Sequence, residues 1–366
     1  MDFVKQALFE RGVPDALITN RGIRVQTAAQ MEKRREEIKR LLVSEEYGRL
    51  PPPPEHLGVD RSPGERNFCA GKVSHELVKL TPKLEGKEFS FPVWAAVPKG
   101  AEKAPAFIHI SSGHEAANMY QPTEEITDRG FAVFSFCYTD IAKDGGDFRE
   151  LREKHLSTSR RANDSSGKIM IWAWAAMRVM DYVEALPEID GDNIAVIGHS
   201  VLGKAALVTA AFDERFKYAI SNNSGCSGAA ISHGGTGETL EQITHVSPFL
   251  FCPRYLEKAD PREKSFDQNF LLSLIPPRHL LVGSAEEDLW ADPESEFLGC
   301  ASTNPVYALY GKRGLVYGSS VPKAKAALAE GDALYHIRKG AHCLSREDWA
   351  AYMDFIDRKM KENTDV

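Results

Sequence analysis

Paired cysteines, long apolar runs and surplus positive charge are all missing from this sequence. Its six cysteines (Cys69, Cys137, Cys226, Cys252, Cys300 and Cys343) contain no Cys-x-x-Cys spacing, so neither a zinc ribbon nor a dense disulfide framework is indicated, and most are expected to be plain buried thiols. No stretch approaches the ~20 apolar residues of a membrane span, and Met1-Asp2-Phe3-Val4-Lys5 opens no apolar run of leader length. With 45 basic against 52 acidic residues the formal charge is −7. Nucleic-acid affinity rests largely on clustered Lys and Arg, so no nucleic-acid partner is expected. There is no Gly-x-Gly-x-x-Gly after a strand and no His-Glu-x-x-His, so the expected chemistry uses no nucleotide, flavin or metal. A 43% hydrophobic content excludes a disordered chain, which could not offset its ordering entropy.

The 366 residues are read as one catalytic domain, with an N-terminal helical extension over 1–60 and a core over 61–366. A charged helical stretch from Thr27 to Tyr47 runs into Pro51 to Pro54, which cannot continue a helix. Extended segments Val73–Leu80 and Phe89–Val97 suggest an antiparallel start to a sheet. Short apolar runs then follow at Ala104–Ile110, Phe131–Cys137, Ile194–Ile197, Tyr218–Ser221, His279–Val282 and Ala333–Ile337. They alternate with helical stretches Ile169–Leu186, Lys204–Phe212 and Arg346–Met360. That rhythm predicts an α/β fold, a mostly parallel sheet sandwiched by helices, with its chemistry at the carboxyl ends of the strands. The segments Thr139–Ser166 and Ser227–Asn269 read as loop insertions that shape a cleft.

The segment Asn193-Ile-Ala-Val-Ile-Gly-His-Ser-Val-Leu-Gly-Lys-Ala205 enters Gly-x-Ser on a β-run and leaves in a small-residue helix. This is the layout of a nucleophile elbow with Ser200 at its tip, although Gly203 stands three residues after the serine instead of two. A serine hydroxyl needs a base, and the base needs a carboxylate to hold one tautomer. The chain order Ser, acid, His puts the base at His342, on the loop after the last strand, and leaves His336 as a packed strand histidine. His199 lines the elbow. Among the carboxylates after Val282, Asp288 follows the strand end by a short turn, Asp292 before Pro293 reads as a helix N-cap, and Glu286 and Glu287 read as solvated.

These blocks, with Ser221-Asn-Asn-Ser-Gly-Cys226, Gly237-Glu-Thr239 and Gly340-Ala-His342, resemble the glucuronoyl esterases of carbohydrate esterase family 15, particularly their bacterial branch. The likeness runs from about Ala104 to the C-terminus and includes the Gly-x-Ser-x-x-Gly-Lys spacing. It implies an α/β-hydrolase fold and cleavage, without a cofactor, of the ester between 4-O-methyl-glucuronic acid on xylan and a lignin alcohol. It further implies that Lys204, Glu238 and Trp290 contact the sugar. Without it, these three read as a helix-surface lysine, a loop carboxylate and a partly buried anchor. Two positions depart from the family. Asn223 stands where many members carry the acid as Glu, and Val201 stands where Arg usually follows the nucleophile.

The expected mechanism is acyl transfer through Ser200, with His342 as base and Asp288 orienting it. The oxyanion rests on the Val201 amide and on a second donor near Ser111, Ser112 or Gly113. A carbohydrate acetyl esterase, a broad small-ester hydrolase and a weakly catalytic sugar-acid-binding homologue are the alternatives. A small-molecule or oligosaccharide ester is the expected partner and a monomer the expected state, with no membrane association. As it stands the chain is expected in the cytoplasm, or secreted or periplasmic if a leader has been removed.

Overall fold

The computed structural model describes residues 2–114, 117–142, 163–258 and 260–364. Most of the predicted insertion Thr139–Ser166 therefore lies outside the described residues. Eleven strands form one sheet in the order β1-β2-β4-β6-β5-β7-β8-β9-β11-β10, with β3 (Lys87–Glu88) paired to β2. At one end β1 (His56–Pro63), β2 (Val73–Leu84) and β4 (Phe91–Pro98) are antiparallel. The antiparallel start is thus present, and it begins inside the segment read as a helical extension.

The middle of the sheet is parallel: β6 (Ala132–Cys137), β5 (Ala104–Ser111), β7 (Ile189–His199), β8 (Tyr218–Asn222), β9 (His279–Ala285) and β11 (Ala333–Arg338). Strand β10 (Ala326–Leu328) closes the far edge antiparallel to β11. Alternation along the strands feeds two cores. Ile108, Ile110 and Val196 join one cluster, while Phe107, Ala195 and Ile197 join the other. Because both faces are buried, the strands read as unbroken apolar runs.

Helices cover both faces. In the N-terminal layer α1 (Phe3–Glu10) is followed by α2 (Ala28–Leu42), which is capped by the Thr27 side chain and continues as one π-turn to Tyr47. Although α2 is rich in charge, it buries Met31, Ile38 and Leu42. Its two buried arginines reach across: Arg34 donates to the Ala16 carbonyl at 2.9 Å and Arg35 to the Pro276 carbonyl at 2.9 Å. Helix α3 (Lys168–Val183) is mostly apolar and almost wholly buried, its Arg178 paired with Asp181, as suits a helix packed between layers.

Helix α4 (Val201–Phe212) follows β7 directly, and its alanines 205, 206, 210 and 211 let it lie close to the sheet. The predicted insertion from Ser227 carries the short α5 (Leu240–Val246), closed by a capping box between Thr239 and Gln242. Beyond β9 comes α6 (Pro293–Ala301), and α7 (Arg346–Thr364) covers the second core with Trp349, Tyr352, Phe355 and Ile356. Among the described residues no helix is long and apolar enough to cross a membrane.

Candidate active site

Ser200 sits between β7 and α4 with φ 57° and ψ −129°. A non-glycine residue held there is strained, and such strain persists only where its surroundings enforce it. The enforcing contacts are close ones. A Cβ on Gly198 would stand 2.1 Å from the Leu202 carbonyl oxygen. At Gly203 it would meet Ser221 Oγ at 3.0 Å and the Gly198 oxygen at 3.1 Å. Gly203 is therefore the residue that brings the first turn of α4 against the end of β8. The intervening Leu202 is buried, which explains a motif whose second glycine is displaced by one. The backbone N–H of Ser200 donates to the Asn222 carbonyl at 2.9 Å. Val201, first in the helix, has an N–H that helix geometry leaves without an intrahelical acceptor.

A short turn after β9 places Asp288, which is buried, with His342 Nδ1 2.6 Å from its Oδ2. Asn223 Nδ2 donates to the same oxygen at 2.7 Å. The Asp288 carboxyl is held below the usual carboxylate range. Burial alone would raise it, but the hydrogen bond and charge of His342, then Asn223, then the Ala291 amide outweigh burial. The loops that carry Asp288 and His342 are laced together, since the amides of Glu286 and Glu287 donate to the carbonyls of Arg338 and Gly340 at 2.9 and 3.1 Å.

Sequence reasoning missed Arg338. Its buried guanidinium donates to the carbonyls of Lys339 (2.9 Å), Ala341 (3.0 Å) and Cys343, and to the fully buried Asp348 at 2.7 Å. The loop that carries His342 is thereby pinned to the start of α7. His336 is a packed strand histidine with Nε2 3.4 Å from Asp348 Oδ1. His199 bonds through Nδ1 to Asn222 Oδ1 at 2.7 Å, and its ring lies 4.4 Å from that of His342. Burial, aided by the neighbouring His342, pushes His199 down to about 4, so it stays neutral at ordinary pH. Asp292 is the N-cap of α6, and Glu286 and Glu287 are exposed.

Ser200, Val201, Asp288 and His342 line one cleft of about 360 Å³ together with Lys204, Asn223, Glu238 and Trp290. Glu238 and Trp290 are set by one pairing. The Glu238 amide donates to the Trp290 carbonyl at 2.8 Å, and Gly237 is needed there because a Cβ would stand 2.5 Å from that oxygen. Trp290 is 55% exposed and forms an open wall instead of a buried anchor. Lys204 is buried, not a surface lysine; its ammonium donates to the carbonyls of Ser224 (2.6 Å) and Cys226 and lies 3.8 Å from Glu238 Oε2. Ser111, Ser112 and Gly113 stand at the end of β5, outside the residues lining this cleft, and the Gly113 amide already donates to Ser111 Oγ at 3.1 Å.

Residues able to hold a metal come together in one group among those described, His114, Cys137 and Asp140 at the ends of β5 and β6, and none of them lines the cleft. Cys137, Cys226, Cys252 and Cys300 are buried thiols, while Cys69 and Cys343 are partly exposed.

Glu296, another residue the sequence did not single out, lies fully buried on α6. It accepts from Ser284 Oγ at 2.6 Å and from the Gly225 amide at 3.0 Å. Burial pushes it up to about 7; Ser284 and Gly225 oppose the rise and the charge of Asp288 adds to it. The native state therefore keeps a proton that the unfolded chain releases near 4.5. Stability should fall as pH rises from about 4.5 to 7, by roughly 3 kcal/mol in all. Urea unfolding of Glu296→Gln should lose most of this slope, and an unchanged slope would rule out Glu296 as its source.

A family model described as fungal glucuronyl esterase matches residues 80–311, more than half of the chain. A carbohydrate esterase from an unknown prokaryotic organism is 30% identical, over 95% of this chain and 89% of its own. A 4-O-methyl-glucuronoyl methylesterase of Thermothelomyces thermophilus is 28% identical, over 82% and 72%. Among solved structures, the glucuronoyl esterase of Solibacter usitatus superposes with a TM-score of 0.86 at 31% identity, covering 94% of this chain and 97% of that one. The strained serine, the acid and the histidine thus sit in a frame shared along nearly the whole chain, and this protein belongs to the glucuronoyl esterases of carbohydrate esterase family 15, carboxylic ester hydrolases of the α/β-hydrolase fold.

Proposed function

We propose that this chain hydrolyses esters of glucuronic acid and its 4-O-methyl ether, as found in the lignin links of glucuronoxylan, through an acyl-enzyme on Ser200. The observation that carries the reading is the 2.6 Å bond between His342 Nδ1 and Asp288 in the cleft that Ser200 lines. That bond leaves the other ring nitrogen, Nε2, free to act as base. Ser200 Oγ attacks the ester carbonyl and His342 takes its proton, while Asp288 stabilises the imidazolium. The Val201 amide, at the N-terminus of a 12-residue helix, receives the oxyanion. His342 then protonates the departing alcohol. Water attacks the acyl group in the same manner, restoring Ser200 and freeing the acid. Trp290 offers a flat apolar face to the C–H side of the sugar, and Glu238 offers acceptors for its hydroxyls.

No cation beyond Lys204 lines the cleft among the described residues, and Val201 beside Ser200 offers no polar side chain to a sugar ring. An acetyl or broad small-ester hydrolase is therefore the second reading. Turnover of benzyl glucuronate beside an acetylated xylan fragment separates the two. Benzyl glucuronate should be the better substrate by kcat/KM, and a preference for the acetylated xylan would overturn the uronate reading.

A further inference from the structure

The charged side chains of the cleft set a condition on which ligands it retains. One positive group, Lys204, stands against two negative ones, Glu238 and Asp288. Much of the Lys204 charge is already met inside the protein, by two carbonyls and the nearby Glu238 carboxylate. An ammonium has three N–H donors; two go to the Ser224 and Cys226 carbonyls, and Glu238 Oε2 lies 3.8 Å away. The remaining walls near the serine, Val201, Ile243, Leu250 and Trp290, carry no charge.

We infer that this cleft favours the uncharged uronic ester over the uronate anion it produces, and that Val201, beside the nucleophile, sets the preference. The inference rests on the uronate reading above. Reactant and product differ in charge. The ester enters neutral; deacylation adds water and returns the Oγ proton through His342, and the free acid then ionises by giving its proton to solvent.

The tetrahedral oxyanion is also negative, but it forms in the same step that places a proton on His342, so it faces an imidazolium. The product carboxylate has no such partner, because His342 is neutral once Ser200 is restored. What remains is the pull of the α4 N-terminus against the fields of Asp288 and Glu238. Positive charge present only during the transition state is differential binding: it stabilises the passing oxyanion without holding the finished anion. A fixed cation at position 201 would stabilise both.

The test compares D-glucuronamide and D-glucuronate as inhibitors of 4-nitrophenyl acetate hydrolysis, a reporter that does not depend on sugar recognition. The two ligands share a ring and differ in charge. In the parent enzyme glucuronamide should inhibit about tenfold more tightly than glucuronate. Val201→Arg should reverse the order. Val201 packs partly on the core, so Glu238→Gln is the second variant, and it should narrow the gap severalfold by removing one negative wall. Equal inhibition by the two ligands, or tighter binding of glucuronate to the parent, overturns the inference while leaving the substrate class standing. Failure of either ligand to inhibit overturns the substrate class and the inference with it.

Discussion

Replacing Ser200 with Ala should lower kcat on benzyl glucuronate by about 10⁵- to 10⁶-fold, the range seen when a serine nucleophile is removed from a working triad. Among the described residues lining the cleft, Ser200 is the serine on the strained turn, while Ser224 Oγ already accepts the Ala229 amide at 2.9 Å. Cys226, near the bound ammonium of Lys204, has its thiol pushed up to about 12 by burial, and the four thiols that are buried are chemically quiet. The variant should keep its fold, because Ser200 is an N-cap whose side chain makes no capping bond. Glucuronamide binding should persist. Intact-protein mass spectrometry with a fluorophosphonate gives the same answer from another side, with one adduct on the parent and none on Ser200→Ala. Turnover retained within tenfold in the alanine variant would remove Ser200 from the mechanism.

Asp288→Asn should cost about 10³- to 10⁴-fold in kcat with little change in thermal midpoint, as when the acid of a serine triad becomes an amide. Oxygen Oδ2 of Asp288 accepts from both His342 Nδ1 and Asn223 Nδ2. Only an acceptor suits that place. An amide at 288 can turn its oxygen to both donors, but it offers no charge to an imidazolium; turned the other way, it sets an NH₂ against two N–H groups. Either outcome is read in kcat, since neither residue is first to meet the sugar. A loss smaller than tenfold would mean that another carboxylate serves His342, and Glu296, bonded to Gly225 and Ser284 in the same wall, would be the next to test.

Much of this site was readable from local pattern. The alternating apolar runs marked the parallel strands, most of them closely, although β7 starts at Ile189 and not at Ile194. Gly198, Ser200 and Gly203 marked the elbow because a strained turn followed by a closely packed helix demands small residues at those places, and the demand lies within six positions of chain. His342 and Asp288 followed from chain order, each after the end of a parallel strand. Asp292 was legible as an N-cap for the same reason, a side chain bonding three residues ahead. The helical character of residues 1–60 was only partly right, because β1 from His56 owes its strand to pairing with β2 and not to its own sequence.

The contacts that sequence reading missed act across the fold. Asn223, read as a lost acid, turned out to be a donor to the remaining one, 65 positions away. Lys204, on a helix of apolar and small residues, reads as a surface lysine without the family resemblance, but the loop after β8 delivers the carbonyls of Ser224 and Cys226 to its ammonium. Arg338 has no spacing signal at all, since the three carbonyls it holds belong to a loop whose path it helps to decide. By itself, then, the sequence determined the alternation of strands and helices, the elbow and the placing of Ser200, Asp288 and His342 after strand ends, all of which are local consequences of side-chain size, period and turn chemistry. Only the tertiary structure decided that Asp288 is shared between His342 and Asn223, which charges in the cleft cancel and what holds His342 in place, because hydrogen bonds between residues far apart in the chain exist only once β7, β8, β9 and β11 stand side by side.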